Sequence, residues 1–374
     1  MGKKKLGFGF MRLPLTDSAD SGSVDQAAVC KMVDKFMDAG FTYYDTAAPY
    51  HNRGNSEIAL RECVVKHYPR DAFTITNKLS LFMIDKKEDI PAFFDAQLER
   101  CGVEYFDYYL LHAMAKEPYA KAESFGAFEF AAQKKAEGKI KHIGFSFHDT
   151  ADFLDKILTE HPEVEYVQLQ LNYIDWEDEK VQSRKCYEVC VKHNKPVIVM
   201  EPVKGGVLAN VTDDVKEMLN SADPSMSTTS WAIRFAASLD NVAMVLSGMS
   251  NDAQAEDNIS YMRDFKPLND DEVKLVLKAA EIIKSKEKIA CTACRYCVDD
   301  CPKKIAIPDY FKLINDISKH GKGQEPIAKA SYARQTQKFG KASDCIKCGK
   351  CEGHCPQNLP VRKYLEDVAA VFEG

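Results

Sequence analysis

Eight cysteines near the C-terminal end fall into two runs of one pattern. Cys291, Cys294, Cys297 and Cys301, followed by Pro302, read C-x2-C-x2-C-x3-C-P, and Cys345, Cys348, Cys351 and Cys355, followed by Pro356, repeat it. Three thiolates at this spacing wrap one corner of an iron–sulfur cubane, and the fourth ligates a neighbouring cluster. The pattern predicts two [4Fe–4S] clusters held in crossed sets: Cys291, Cys294, Cys297 and Cys355 on one, and Cys345, Cys348, Cys351 and Cys301 on the other. Zinc also takes thiolates, but it prefers two separated C-x2-C pairs and has no use for the final Cys-Pro. Close cluster pairs pass single electrons; the alternative is that they only brace a small domain.

Four more chemistry-bearing residues stand at or just after the ends of apolar runs. Asp45 closes one run, with Tyr50 five residues on; Lys78 closes the next and His112 the one after. Each alone is ordinary. Together they place ionisable groups from three successive strands at one mouth, where barrel enzymes keep their catalytic groups.

The elements that must position them alternate. Strand-like runs are predicted at Leu6–Met11, Gly40–Asp45, Ala72–Lys78, Phe106–His112, Ile140–Ser146, Glu165–Leu171, Lys195–Glu201 and Asn241–Gly248. Helical patterns lie between them at Asp25–Ala39, Ser56–His67, Asp89–Cys101, Phe125–Ala136, Ala151–Glu160, Asp178–His193, Thr228–Ser238 and Asp252–Arg263. Near-continuous apolar strands suit a parallel sheet covered by helices, and eight strand–helix units in about 265 residues suit an α/β fold of the (β/α)8 TIM-barrel type. Gly7-Phe8-Gly9 lacks the third glycine of a dinucleotide-binding turn. The expected organisation is a barrel over 1–265, a connecting helix over 266–288 and a C-terminal α-helical ferredoxin-like domain over 289–374, with helices at Pro308–Ile317 and Pro326–Lys338.

Composition narrows the setting. An apolar fraction of 45% supports a sizeable core, and a net charge of −6 argues against a nucleic-acid partner. The MGKKK start has no apolar run behind it, Leu6 breaks a myristoylation motif, and no stretch suits a membrane span. With 13 cysteines and no secretory signal, thiols ligating metal in a reducing cytoplasm are expected. Cys30, Cys63, Cys101, Cys186 and Cys190 read as buried packing thiols. His51 and His148 line the substrate mouth or are solvated, and Tyr173 and Trp176 wall a pocket or pack.

The stretches LGFGFMRLP, DTAAPYHNRGNSE, NK, LLH and GFS, spread over residues 5–260, resemble the aldo-keto reductase family, and the cysteine runs narrow the likeness to its ferredoxin-containing members. The long gap between the runs resembles the α-helical ferredoxin modules of succinate dehydrogenase iron–sulfur subunits and heterodisulfide reductases. The family likeness implies an oxidoreductase interconverting a small-molecule carbonyl and its alcohol with NAD(P)H. It makes Tyr50 the proton donor, has Lys78 and Asp45 tune it, and has His112 orient the carbonyl. That fits the chemistry: a tyrosine with a pKa near ~10 is a weak acid at neutral pH, and a nearby ammonium lowers that value.

The likeness also assigns cofactor contacts to Gly9, Met11, Ser146, Gln168, Gly248, Met249, Gln254 and Asn258. The sequence departs from the family at Phe147 and His148 (usually Asn after the Ser), at Met200 (often Tyr), and at Gly248 and Gln254, where many NADPH-dependent members carry Lys and Arg. The N-terminal hairpin is missing. The loops Glu201–Gly206 and Ser247–Asn251 could equally hold the phosphate of a flavin. Two other readings therefore stand beside the reductase: a barrel fed with single electrons by the clusters through a flavin, with a ferredoxin or other electron-transfer partner, and a non-enzymatic redox-sensing partner protein.

Overall fold

The computed structural model describes residues 4–17, 20–320 and 322–374, so Met1–Lys3 of the charged N-terminal run lie outside them. Contacts divide the chain into two units: residues 1–202 with 229–273, and residues 203–228 with 274–374.

The first unit contains eight strands: β1 (Leu6–Gly9), β2 (Tyr43–Asp45), β3 (Thr74–Leu79), β4 (Phe106–Met114), β5 (Ile140–Phe147), β6 (Tyr166–Gln170), β7 (Val197–Met200) and β8 (Val242–Ser247). Each pairs in parallel with its sequence neighbours, and β1 closes on β8. All eight predicted strands are present. Inside the barrel, Tyr43, Leu110, Tyr166, Ile198 and Leu246 form an apolar layer from five strands. Residues two along the chain face the same side, so Asp45 and Gln168 stand one layer above Tyr43 and Tyr166.

The helices differ more from expectation. Two helices, Lys116–Phe125 and Ala127–Ala136, meet at Gly126 with φ 64°; the second is the one expected at Phe125–Ala136 and the first is additional. Pro118 in the first of them masks its helical pattern in the sequence. Asp213–Ala222 is a further helix, unforeseen because it adds to the eight strand–helix units. The helix expected at Ser56–His67 follows a left-handed stretch at His51–Gly54, runs to Leu60 and continues as a π-helical turn over Arg61–Val65. Cys63 in that turn is joined by a disulfide to Cys30 on the helix Gln26–Asp38, a correction to their reading as packing thiols. Cys101, Cys186 and Cys190 are buried free thiols. Tyr173 and Trp176 pack against Phe235.

The second unit has its own apolar core, with Ile305, Ile307, Tyr310, Phe311, Ile314, Tyr332, Leu365 and Val368 buried together. They come from the helices Ile307–His320, Glu325–Gln335 and Val361–Phe372 and the turn before the first of them. Each such side chain contributes roughly 1.5–3 kcal/mol on burial, so this unit does not depend on metal alone for cohesion. Asn315 ties the start of the first cysteine run to the helix, donating to the Ile289 carbonyl at 2.7 Å and accepting from its N–H at 2.9 Å. Among the described residues no helix is long and apolar enough to cross a membrane.

The barrel interior yields a direct test of packing. A Cβ on Gly144 of β5 would lie 2.5 Å from the Tyr166 ring, which is 2% exposed and has no room to move. Gly144→Ala should lower stability by about 1–3 kcal/mol, read as a reduced denaturant midpoint for loss of barrel secondary structure.

Candidate active site and cluster cavities

Lys78 reaches the barrel interior from β3 and is 1% exposed. Its ammonium pairs with Asp45 Oδ1 and donates to the Thr46 carbonyl at 2.9 Å. Gln168, from across the barrel on β6, donates to Asp45 Oδ2 at 3.3 Å. Burial pushes the Lys78 amine down and the Asp45 carboxyl up, and each resists the other's shift through its charge. The donors and acceptors around the pair fit the ionised forms of both.

A buried network fixes the lysine's backbone. Asn77 Oδ1 accepts from the Lys78 N–H at 2.8 Å, and Gln97 donates to the Lys78 carbonyl at 3.0 Å. Glu57, fully buried, accepts from Asn77 at 2.8 Å and from Gln97 at 3.1 Å and pairs with Arg100. The Asn before the lysine and the Glu of GNSE are thus positioning groups, which sequence reading quoted without a role.

Tyr50 follows β2 across a tight turn closed by its N–H to the Ala47 carbonyl at 3.1 Å. Its ring lies 5.1 Å from the Lys78 ammonium, and its centroid is 6.2 Å from that of His112, edge to face. The next three residues, His51, Asn52 and Arg53, all have φ between 51° and 60°, and Gly54 has φ 116°. Left-handed backbone costs a non-glycine residue roughly 1–2 kcal/mol, and such strain concentrates at functional sites. His51 offsets part of that cost. Its Nε2 accepts from the Leu13 N–H at 3.2 Å and its Nδ1 sits 3.0 Å from the Ser21 carbonyl. Both ring nitrogens are thus engaged in tying two loops together, a use that shows only in three dimensions.

His112 lies on β4 two residues before its end, because the strand runs on to Met114 past an irregularity where Ala113 has φ 60°. Ser80 Oγ is 2.7 Å from His112 Nδ1. Burial, then the Lys78 charge and then His148, hold the His112 ring well below the usual histidine range, so it is neutral at ordinary pH. His148 is near enough to influence it, and its Nδ1 is sealed from solvent without a hydrogen-bond partner. Phe82, 52% exposed in the turn after β3, stands 5.5 Å from His112. Sequence reading missed Ser80 and Phe82, which carry no motif.

The expected cofactor contacts divide. Ser146 and Gln168 are paired in register on β5 and β6 and sit beside the buried ionised layer. Ser146 Oγ accepts from the Ala113 N–H at 2.7 Å, bracing the turn after His112. Gly9 is buried and Met11 half-buried at the end of β1. Met249 is fully buried, and Asn258 is spent internally on Ser247 and Tyr261. Gln254 accepts from the Ser250 N–H at 2.7 Å. Gly248 lies against Arg12, whose guanidinium is 3.6 Å from Glu201. Arg12 is a cation that sequence reading overlooked in this place.

In the second unit, two cavities hold the cysteines. One is lined by Cys291, Cys294, Cys297 and Cys355, the other by Cys301, Cys345, Cys348 and Cys351. Each cavity is lined by four cysteines, the donor set that a four-iron core takes. Ile307, 1% exposed, lines both cavities. Gly205, in the turn after β7, has φ 63°, and a Cβ there would overlap the Thr292 carbonyl oxygen, so main chain meets main chain beside Cys291.

Burial holds the His148 ring down at about 4. An unfolded histidine takes up a proton near 6.5 that the folded ring refuses until about pH 4, so its contribution is whole above 6.5 and is lost as pH falls through that window. The melting temperature should drop between pH 7 and pH 4.5 by more in the wild type than in His148→Asn, as followed by circular dichroism.

Residues 5–281 match the profile of the Aldo/keto reductase family, and residues 290–359 match a 4Fe-4S dicluster domain. An aldo-keto reductase of Mycolicibacterium smegmatis is 34% identical over 29% of this chain and 38% of its own length. The NADH-specific methylglyoxal reductase of Escherichia coli is 25% identical over 50% of this chain and 60% of its own. The chain thus spans less than two thirds of either relative. In fold it resembles the holo form of an aldo-keto reductase from Bacillus halodurans, with a TM-score of 0.59, 20% identity and coverage of 73% of this chain and 91% of that one. It also resembles a Klebsiella pneumoniae aldo/keto reductase in complex with NADP and acetate, with a TM-score of 0.58, 18% identity and coverage of 74% and 91%. With a profile match that spans most of its length and the closed eight-stranded barrel that goes with it, this chain belongs to the aldo/keto reductase family and carries a C-terminal 4Fe-4S dicluster domain.

Proposed function

We propose that the barrel interconverts a small-molecule carbonyl and its alcohol, and that the two cysteine cavities hold two [4Fe–4S] clusters in crossed sets. The reading rests above all on the convergence of Tyr50, Lys78, Asp45 and His112, all buried, in one layer at the barrel mouth. Tyr50 gives its phenolic proton to the carbonyl oxygen during reduction. Lys78, kept charged by Asp45, stabilises the phenolate left behind. With Ser80 donating to Nδ1, neutral His112 carries its hydrogen on Nε2 and directs it at the same oxygen. Phe82 covers the apolar part of the substrate. A nicotinamide, when bound, supplies hydride to the carbonyl carbon. Ser146 and Gln168 orient its carboxamide, and Arg12 faces its phosphate end in place of the family's usual Lys and Arg. Clusters in the C-terminal cavities supply one-electron transfer, in keeping with the dicluster match over residues 290–359.

A second reading, in which a flavin converts single electrons from the clusters, draws on the departures at Met200, Gly248 and Gln254, where many family members carry Tyr, Lys and Arg. Acid release of a flavin from anaerobically purified protein with about eight irons per chain would select this reading; its absence would select the nicotinamide.

Two substitutions test the assignments. Tyr50→Phe should lower NAD(P)H-dependent carbonyl reduction by roughly 10²–10⁴ while nicotinamide binding, followed by fluorescence, is retained; unchanged turnover would remove Tyr50 from its role. Cys301→Ala should alter the electron paramagnetic resonance signal of the same cluster that Cys348→Ala alters, not the one altered by Cys294→Ala. The opposite grouping would refute the crossed sets.

A further inference from the structure

The two cavities differ in charge and exposure. Around the first, the lining arginine is answered: Arg295 pairs with Asp309 at 3.1 Å, and the His354 ring lies 2.9 Å from Asp300. Around the second, Arg362 pairs with Glu352 at 2.7 Å, but Lys303 and Lys350, both exposed, form no ion pair among the described residues. Cys348, in the second cavity, is the one exposed thiol of the eight. Beside it stands Ile346, 57% exposed, a large apolar side chain on the cavity's rim.

An apolar centre flanked by unanswered cations, over a redox ligand within reach of solvent, is how a surface that receives a charged protein is built. We propose that this rim is the docking face for an acidic one-electron carrier protein, and that the second cavity, not the first, is where its electron enters. The proposal rests on the reading that the cavities hold iron–sulfur clusters. The net charge of −6 on the whole chain makes the basic rim a local feature. Screened over about 8–10 Å at physiological salt, charges beyond the rim count for little to a carrier already in contact. The transfer itself balances simply: the reduced carrier loses one electron, the cluster at Cys345, Cys348, Cys351 and Cys301 gains it, and no bond or proton moves.

The test uses the full-length, anaerobically purified protein and a reduced plant-type [2Fe–2S] ferredoxin of net negative charge. Binding of the oxidised ferredoxin is measured by calorimetry, and cluster reduction by the reduced form is followed by stopped-flow absorbance, both at low and high salt. Lys303→Glu/Lys350→Glu should weaken binding and slow the second-order rate at least tenfold at low salt, with the difference collapsing at high salt. Reduction by methyl viologen radical should be unchanged, which separates docking from damage to the cluster. Ile346→Ser, which keeps the charge, should weaken binding at both salt levels. Binding that ignores both variants would overturn the docking face while leaving the clusters intact. So would a preference for a cationic carrier, or a charge reversal that changes only self-association of the chain. Wild-type protein without iron would overturn the cluster reading and the docking face together.

Discussion

The amine of Lys78 lies inside a barrel, 1% exposed, against the Asp45 carboxyl. A buried ion persists only where a counter-charge and hydrogen bonds replace the water it has lost. Asp45 supplies the charge, and Thr46 and Gln168 complete the pair's hydrogen bonds. Removing either partner would leave an uncompensated buried charge, at a cost of about 3–5 kcal/mol. The barrel is built around that demand. Strand β2 must bring Asp45 level with Thr76 of β3 so that Lys78, two residues on, can reach it. Strand β6 must end its inward face on an amide rather than another apolar group. The chain around the lysine is held from outside as well, where Glu57 gathers Asn77, Gln97 and Arg100 into one buried network.

Tyr50 and His112 are placed by different means. Strand pairing settles His112 almost entirely, with Ser80 locking the ring. Tyr50 sits on a turn that pairing does not control, ahead of three successive left-handed non-glycine residues. Rigid regions tolerate such strain when the surroundings overdetermine it. Here His51 performs that function through Leu13 and Ser21, so the loop after β1 and the turn after β2 are set together.

What could be read in the sequence follows from how local each feature is. The strands were legible because an apolar run between turn residues is a property of the run itself, and all eight occur where expected. The ionisable residues at strand ends were legible for the same reason, and the cysteine spacing is a local geometric signature; thiols from both runs line each of the two cavities. The helices Lys116–Phe125 and Asp213–Ala222 were not legible, since one contains a proline and both interrupt the expected alternation. Nor were Ser80, Phe82, Arg12, the Cys30–Cys63 bond or the true use of His51. Each depends on a partner 30 or more residues away, or on which way a loop turns, and no spacing within the chain encodes that.

Each cavity draws cysteines from both runs. During synthesis, the thiols of the first run are made more than fifty residues before Cys355, the last lining cysteine of their cavity. The second cavity is complete only once Cys351 has been made. Neither can therefore close on a metal centre until the C-terminal segment has left the ribosome and folded back. Between the making of the first run and that of Cys351, the chain is an aldo/keto reductase barrel followed by thiols that still lack their partners. A message truncated anywhere between the runs would yield a barrel with no complete cysteine site at all.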